Sequence, residues 1–284
     1  MSWYTPYLQV YGKSFDADAM NSVVQAVREG LDRLQSDEPL VTVSVIAYNE
    51  ETHLLACLWS LSQMQCPFPV EVIGVDNDSK DRTADIFKAC GVPYYTELQH
   101  SCGFARQCGL DHARGRYHLN IDSDTLYPPA YVELMTRQLM RDDTVAVSSL
   151  WSYIPDSQHS RLGLWFYELL RDTHLWLQHF SRPELSVRGL VFGYSVEAAR
   201  SFGIRTDIIR GEDGYLAFQL RELGTIRFLR DRRARAVTGY GTVSESLVKA
   251  LLHRLKKYLG SFTSYFTRKT QYDDNADNLI KPAP

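Results

Sequence analysis

Between residues 40 and 141, short apolar runs alternate with segments whose apolar positions recur every three to four residues. Leu40–Ala47 (LVTVSVIA) is almost purely apolar and β-branched, which predicts a strand covered on both faces, as in a parallel sheet. Glu50–Met64 follows with a helical period. Val70–Val75 predicts a second strand, Arg82–Cys90 a helix, and Tyr94–Leu98 a third strand. Gly103–Ala113 predicts a helix, Tyr117–Ile121 a fourth strand, and Pro129–Arg141 a further helix. Strands alternating with helices imply βαβ units and an open α/β sheet.

The flanks follow other patterns. Ala17–Leu34 sets Met20, Val23, Val24, Val27, Leu31 and Leu34 at helical spacing, so residues 1–38 read as an N-terminal helical extension. After Leu150 the alternation loosens. Trp151–Phe180 is aromatic-rich and partly helical, Arg188–Tyr194 reads as a short strand or turn, and Glu212–Leu223 as a helix. Ser244–Tyr265 combines Leu247, Leu251, Leu252, Leu255 and Leu259 with Lys249, His253, Arg254, Lys256 and Lys257. That pattern is a basic amphipathic helix, able to pack its leucines on the domain or to make peripheral contact with an anionic membrane. Gln271–Pro284 is a polar tail expected to be mobile. The expected organisation is therefore an extension (1–38), a catalytic-type domain (39–243, with halves 39–135 and 136–243), and a C-terminal helix with tail (244–284).

Composition narrows the function classes. With 44% hydrophobic and 23% charged residues the chain is neither disordered nor fibrous. A net charge of −3 argues against a nucleic-acid partner, which would favour a basic surface. The five cysteines (Cys57, Cys66, Cys90, Cys102, Cys108) form no zinc-type pairs, so reduced thiols and a cytoplasmic location are expected. No basic segment followed by an apolar core opens the chain, and no stretch approaches the ~18 apolar residues of a membrane span.

In an open α/β sheet, ligands bind beyond the carboxyl ends of the strands. Here those ends read Ala47-Tyr48-Asn49-Glu50-Glu51, Asp76-Asn77-Asp78-Ser79 and Asp122-Ser123-Asp124. Carboxylates gathered at one edge repel one another unless a cation joins them, and a hard divalent ion bound with phosphate oxygens suits that set. Asp122 and Asp124 point the same way if their segment is extended. Taken singly, each motif has a plainer reading: Asp76–Ser79 as a turn, Asp81 as a helix cap, Asn49-Glu50-Glu51 as a helix start. Their joint placement after successive strands favours a site.

The runs VSVIAYNEE (Val43–Glu51), VDNDSKDRT (Val75–Thr83) and GFARQCGLDHARGRYHLNIDSDT (Gly103–Thr125) resemble the nucleotide-sugar-binding half of a family 2 glycosyltransferase with the GT-A fold. The resemblance extends over about residues 40–230 and is strongest over 43–135. It implies a Rossmann-like α/β domain with a mixed central sheet, plus the helical extensions. It implies that Ala47, Tyr48 and Glu50 border the base and ribose, and that Asp76 accepts a hydrogen bond from the base, favouring uracil. Gly103 and Arg106 would lie along the nucleotide, with Gln107 where asparagine is usual. Asp122, Ser123 and Asp124 would form the DxD site, in which Asp124 ligates Mn²⁺ or Mg²⁺ with Asp122 beside it.

For the second half, EDGYLAFQLRELG (Glu212–Gly224) resembles the family's ED motif, with Asp213 as the base and Glu212 as its neighbour. The plainer alternative is that both cap a helix and face water. Arg188-Gly189 and Gly193-Tyr194 resemble the small-residue stretch where donor sugar and acceptor meet. Trp151, with Tyr153, Trp165, Phe166, Tyr167 and Trp176, supplies either aromatic faces for an acceptor or a buried stripe. Many relatives place a metal-ligating histidine later in the chain, and Ala234–Thr242 has none.

The activity implied is inverting, metal-dependent transfer from a nucleotide-sugar, of UDP type, to a hydroxyl of a saccharide or lipid-linked acceptor in polysaccharide biosynthesis. Two alternatives stand beside it. A sugar-phosphate nucleotidyltransferase would carry a glycine-rich loop after the first strand, where Tyr48-Asn49-Glu50 stands. A catalytically inactive sugar-binding relative would have lost the DxD or the base, whereas Asp122, Asp124 and Asp213 are present.

Overall fold

The computed structural model describes residues 2–239; the expected helix at 244–265 and tail at 271–284 lie outside the described residues. In chain order the elements are α1 (Asn21–Asp32), β1 (Val41–Ala47), α2 (Leu54–Ser62), β2 (Val70–Asp76), α3 (Thr83–Ala89), β3 (Tyr94–Thr96), α4 (Cys102–His112), β4 (Tyr117–Asp122), β5 (Thr125–Leu126), α5 (Tyr131–Leu139) and β6 (Thr144–Ser149). Then follow β7 (Trp151–Tyr153), α6 (Arg161–Ser181), β8 (Phe192–Ser195), α7 (Val196–Phe202), α8 (Glu212–Leu220), β9 (Thr225–Leu229) and β10 (Ala236–Thr238).

Seven strands form the main sheet in the order β3-β2-β1-β4-β8-β6-β9. The first four are parallel, β8 runs antiparallel to both β4 and β6, and β6 pairs parallel with β9. The sheet is thus mixed, as expected. The central strands of its parallel half are covered on both faces: every residue of β2 is buried, and in β1 only Ile46 is partly exposed. That double burial is why these strands read as nearly continuous apolar runs, broken by Thr42, Ser44 and the buried Glu71.

Register decides where the chemistry falls. Ala47 pairs with Asp76, and Ile46 with Asp122, so the polar ends of β1, β2 and β4 meet at one edge of the sheet. A second, three-stranded sheet, β5-β10-β7, stands directly after β4. The N-terminal segment packs into the same core: Tyr7, Val10, Phe15, Val24, Val27 and Leu31 belong to the hydrophobic cluster that includes β1 and α2.

The aromatic stretch after Leu150 divides into β7 and α6. Ser160 starts α6 by accepting a hydrogen bond from Gly163 N–H (3.2 Å), the usual N-cap arrangement. The inward side of α6 is charged. Glu168 accepts from Tyr153 N–H (2.8 Å) and Ser152 Oγ (2.8 Å). Arg171 pairs with Asp172 (2.8 Å) and lies over the Trp151 ring (4.0 Å), and Arg235 pairs with both Asp172 and Glu168.

Candidate active site

Beyond the ends of β1, β2 and β4 opens a cleft of about 190 Å³. Six of the nucleotide-binding residues expected from the sequence line it: Ala47, Tyr48, Glu50, Asp122, Ser123 and Asp124. The other walls are Ile46, Asn77, Cys102 and Ala105. Tyr48 is half-exposed, its ring edge-on to His100 at 5.2 Å, which leaves an open aromatic face at the mouth.

The two loops that carry the motifs are stitched together. Asn49 sits in the left-handed region (φ +53°); its N–H donates to Ser79 Oγ (2.9 Å), and its Oδ1 accepts from Lys80 N–H (2.8 Å). Glu50 N–H donates to Thr83 Oγ1 (2.8 Å), and Glu51 N–H to Asp81 Oδ2 (3.0 Å). Asp76 lies at the tip of β2, one residue before Asn77, and its Oδ1 accepts from Ser79 N–H (3.2 Å).

Asp122-Ser123-Asp124 is not an extended segment. β4 ends at Asp122, and the next two residues form a turn into β5. The DxD carboxylates therefore flank one cleft by turn geometry, not by strand alternation. The Asp124 carbonyl accepts from Tyr11 Oη (2.8 Å) and Thr238 Oγ1 (3.5 Å), and Tyr11 Oη in turn accepts from Gly239 N–H (3.1 Å). Burial, reinforced by the charges of Asp122 and Glu50, pushes the Asp124 carboxyl up to about 6. His53 stands by: its hydrogen bond with Glu50 (2.8 Å) holds its pKa above the ordinary imidazole value.

This donor set suits a hard divalent cation. It is carboxylate oxygen, crowded with like charge: Arg106 pairs with Asp122 and His53 with Glu50, while Asp124 has no ion-pair partner among the described residues. Thr125 Oγ1 occupies only one Asp124 oxygen (3.0 Å). Among the described residues no group of three or more His, Cys, Asp or Glu side chains could hold a metal by itself. An ion here would complete its shell with phosphate oxygens and water, as Mg²⁺ commonly does.

Behind the cleft lies Arg106, whose side chain is 4% exposed. Its Nη2 is 2.9 Å from Asp122 Oδ1, and its Nε is 3.2 Å from Glu212 Oε1 and 3.3 Å from Asp213 Oδ1. Burial alone would lower the pKa of this guanidinium, but Asp213, Asp122 and Glu212 more than offset it and keep it charged. One cation faces three carboxylates. Burial raises the Asp213 carboxyl to about 8, the attraction of Arg106 opposing and the charges of Glu212 and Asp122 adding to the rise. Asn120 Nδ2 donates to Asp213 Oδ1 (3.1 Å), and Tyr194 Oη donates to Asn120 Oδ1 (3.1 Å).

The expected acceptor-side set divides. Gly189 belongs to this cluster: a β-carbon there would lie 2.0 Å from Arg106 Nη2 and 2.4 Å from Asp213 Oδ2. Gly193, Tyr194 and Trp151 are core residues and present no face to an acceptor. Gly193 packs on Leu119, Tyr194 is fully buried and stacks on His118, and Trp151 lies beneath Arg171. Gly103 makes its close approach to the Arg205 carbonyl rather than to the cleft. Arg106 joins carboxylates behind the cleft rather than lining it. Gln107 turns away, accepting from Ile204 N–H (2.7 Å) and donating to Asp111 (2.7 Å). Glu212 and Asp213 start α8 after Gly211 (φ +97°), but Glu212 is buried against Arg106 and does not face water.

Sequence reasoning gave no individual role to Asn120, Tyr11, His53 or Asn77. Asn120 was within reach, since it stands two residues before Asp122 on the same side of β4. Tyr11 had no local signal, because its partner is 113 residues away.

Residues 42–203 match the sequence profile of Glycosyl transferase family 2. The SPbeta prophage-derived glycosyltransferase SunS of Bacillus subtilis is 32% identical over 116 residues, which are 39% of this chain and 25% of SunS. A B. subtilis glycosyltransferase, YfnE, is 27% identical over 138 residues, 47% of this chain and 33% of the relative. The chain thus spans about a quarter to a third of the length of these relatives. Among solved structures, the mannosyltransferase PcManGT of Pyrobaculum calidifontis, in complex with GDP-Man and Mn²⁺, superimposes with a TM-score of 0.57 at 18% identity, covering 91% of this chain and 74% of that one. Glucosyl-3-phosphoglycerate synthase of Mycobacterium tuberculosis, in complex with Mn²⁺, UDP-glucose and phosphoglyceric acid, gives 0.51 at 18% identity, covering 85% and 83%. These likenesses establish the GT-A fold.

Proposed function

The chain belongs to glycosyl transferase family 2, and from that premise we propose that it moves a sugar from a nucleotide-sugar, of UDP type, to a hydroxyl of a saccharide or lipid-linked acceptor, with inversion. The observation that carries this reading is the buried Arg106, which binds the cleft carboxylate Asp122 on one side and the Glu212–Asp213 pair on the other. A donor-binding edge and a potential proton acceptor are thereby held in fixed relation.

The roles follow from the side chains. Tyr48 offers a face for the base, and Asp76, in register with Ala47, is assigned its ring N–H. The acceptor oxygen attacks the anomeric carbon as the bond to the diphosphate oxygen breaks, and Asp213 takes the acceptor's proton. A carboxyl raised to about 8 is a better base than a free one, because a general base works best with a pKa near the operating pH. Asn120 and Tyr194 aim it, and Arg106 keeps its charge tolerable when the proton leaves for solvent. Asp124, with Asp122, would hold Mn²⁺ or Mg²⁺, which when bound neutralises the departing diphosphate. We place the reaction in cytoplasmic polysaccharide biosynthesis.

A thermal-shift panel of UDP-glucose, UDP-galactose, UDP-N-acetylglucosamine and GDP-mannose, each with and without Mn²⁺, tests the reading. A ligand that binds only the folded state raises apparent stability. A Mn²⁺-dependent rise with a UDP-sugar is expected; no rise with any nucleotide-sugar overturns it.

A further inference from the structure

Helix α6 buries charge and exposes apolar groups: beside Leu164, Tyr167 and Leu175 its inward side carries Glu168, Arg171 and Asp172, while most of its exposed positions are apolar. Glu168, Arg171 and Asp172 are consumed by contacts with β7 and Arg235. Leu162 (67% exposed), Trp165, Phe166, Leu169, Trp176 and Phe180 (70%) stand in solvent. They recur every three to four residues apart from one gap, so they form a single stripe about 27 Å long. No Asp or Glu on α6 is exposed; the exposed residues that are not apolar are Arg161 and Thr173.

Cations rim the stripe. Arg161 and Arg232 share a recess with Trp165, and Arg230 sits over the Trp176 ring at 5.1 Å. None of the three is paired with an acidic side chain among the described residues. A contiguous exposed apolar patch of this kind marks an interaction surface. Aromatic and aliphatic side chains bordered by arginines suit the headgroup layer of an anionic bilayer, where rings bury and guanidiniums meet phosphates.

We propose that the outward face of α6 is a membrane-binding surface that seats the protein on an anionic phospholipid bilayer. Charge selects this occupant over the others. Both ends of the stripe are cationic, so a second copy of the chain laid on it in either orientation would bring arginine against arginine. The chain's own segment 244–265 contributes Lys249, Arg254, Lys256 and Lys257, and would meet the same repulsion. No helix among the described residues is long and apolar enough to cross a membrane, so the contact lies along the surface. This proposal does not rest on the assigned reaction.

The test is co-sedimentation of the full chain with vesicles of phosphatidylcholine, with and without phosphatidylglycerol, read alongside tryptophan emission. The wild-type protein should bind the phosphatidylglycerol vesicles with a blue-shifted emission. The exposed double substitution Trp165→Ser/Phe166→Ser should weaken binding about tenfold or more, since it removes two of the side chains that would insert. Arg161→Gln/Arg232→Gln should abolish the preference for phosphatidylglycerol. Circular dichroism confirms that the variants fold. Three outcomes overturn the proposal: absence of binding by the wild type, equal binding by the Trp165/Phe166 variant, or a dimer in sedimentation velocity that this variant splits without any vesicle binding.

Discussion

Gly189 lies so close to Arg106 that a β-carbon on it would stand 2.0 Å from the guanidinium Nη2. The absence of a side chain at one position thus sets the location of a charge at another. Gly189→Ala must push the guanidinium or the backbone aside. Overpacking of this kind costs about 1–3 kcal/mol. The expected result is a lower Tm in calorimetry together with loss of transfer.

Removing the cation itself is harsher. Arg106→Met leaves Asp122, Glu212 and Asp213 facing one another without a counter-charge. Breaking a buried pair by deleting one partner costs about 3–5 kcal/mol. Urea denaturation should show a loss in that range, with Arg106→Lys falling between the two. Equal stability of Arg106→Met and wild type would mean that the cluster is solvated.

Asp213→Asn should keep donor affinity, measured by calorimetry, and lower kcat by about 10²–10⁴. In the wild-type protein kcat/KM should rise with pH through about 8, as the buried carboxyl loses its proton. The stability effect has a definite sign. A carboxyl whose folded pKa lies above its unfolded value of about 4 contributes fully below that pH, and the contribution is lost as pH rises through about 8. The asparagine variant should lack this part of the decline when denaturation curves are compared across that window.

Asn120 tests positioning separately from proton transfer. Asn120→Ala removes the donor to Asp213 Oδ1 and the acceptor for Tyr194 Oη. The donor KM should stay unchanged while kcat falls about tenfold and the pH profile shifts, because a hydrogen bond to the carboxylate form favours that form. Asn120→Asp adds a fourth carboxylate to one guanidinium and should destabilise more than alanine does.

In the cleft itself, Asp124→Ala should make nucleotide-sugar affinity the same with and without Mn²⁺. An undiminished Mn²⁺ effect in that variant would move the cation elsewhere.

The parallel half of the sheet was legible because burial on both faces writes itself as apolar runs, and β1, β2 and β4 end within one residue of their expected ends. In a parallel arrangement the strand ends then point to one edge, so Ala47, Tyr48, Glu50 and the DxD residues could be gathered without coordinates. Past Leu150 the signal weakened for physical reasons. Strands β5 and β10 have two and three residues, and their partners, not their own periodicity, make them strands. An aromatic such as Trp151 reads the same whether it faces a sugar or lies under Arg171. Arg106 carried a motif position, but its ties to Glu212, 106 residues away, belong to tertiary structure alone.

The carbonyl of Asp124 is held by Tyr11, near the start of the chain, and by Thr238, more than a hundred residues downstream. A ribosome making this protein therefore lays down the four parallel strands β1 to β4 long before it delivers the last latch on that turn. A nascent chain stopped short of β10 would carry every one of these motifs and still lack the Thr238 contact to the DxD turn, so the full setting of that turn waits for β10.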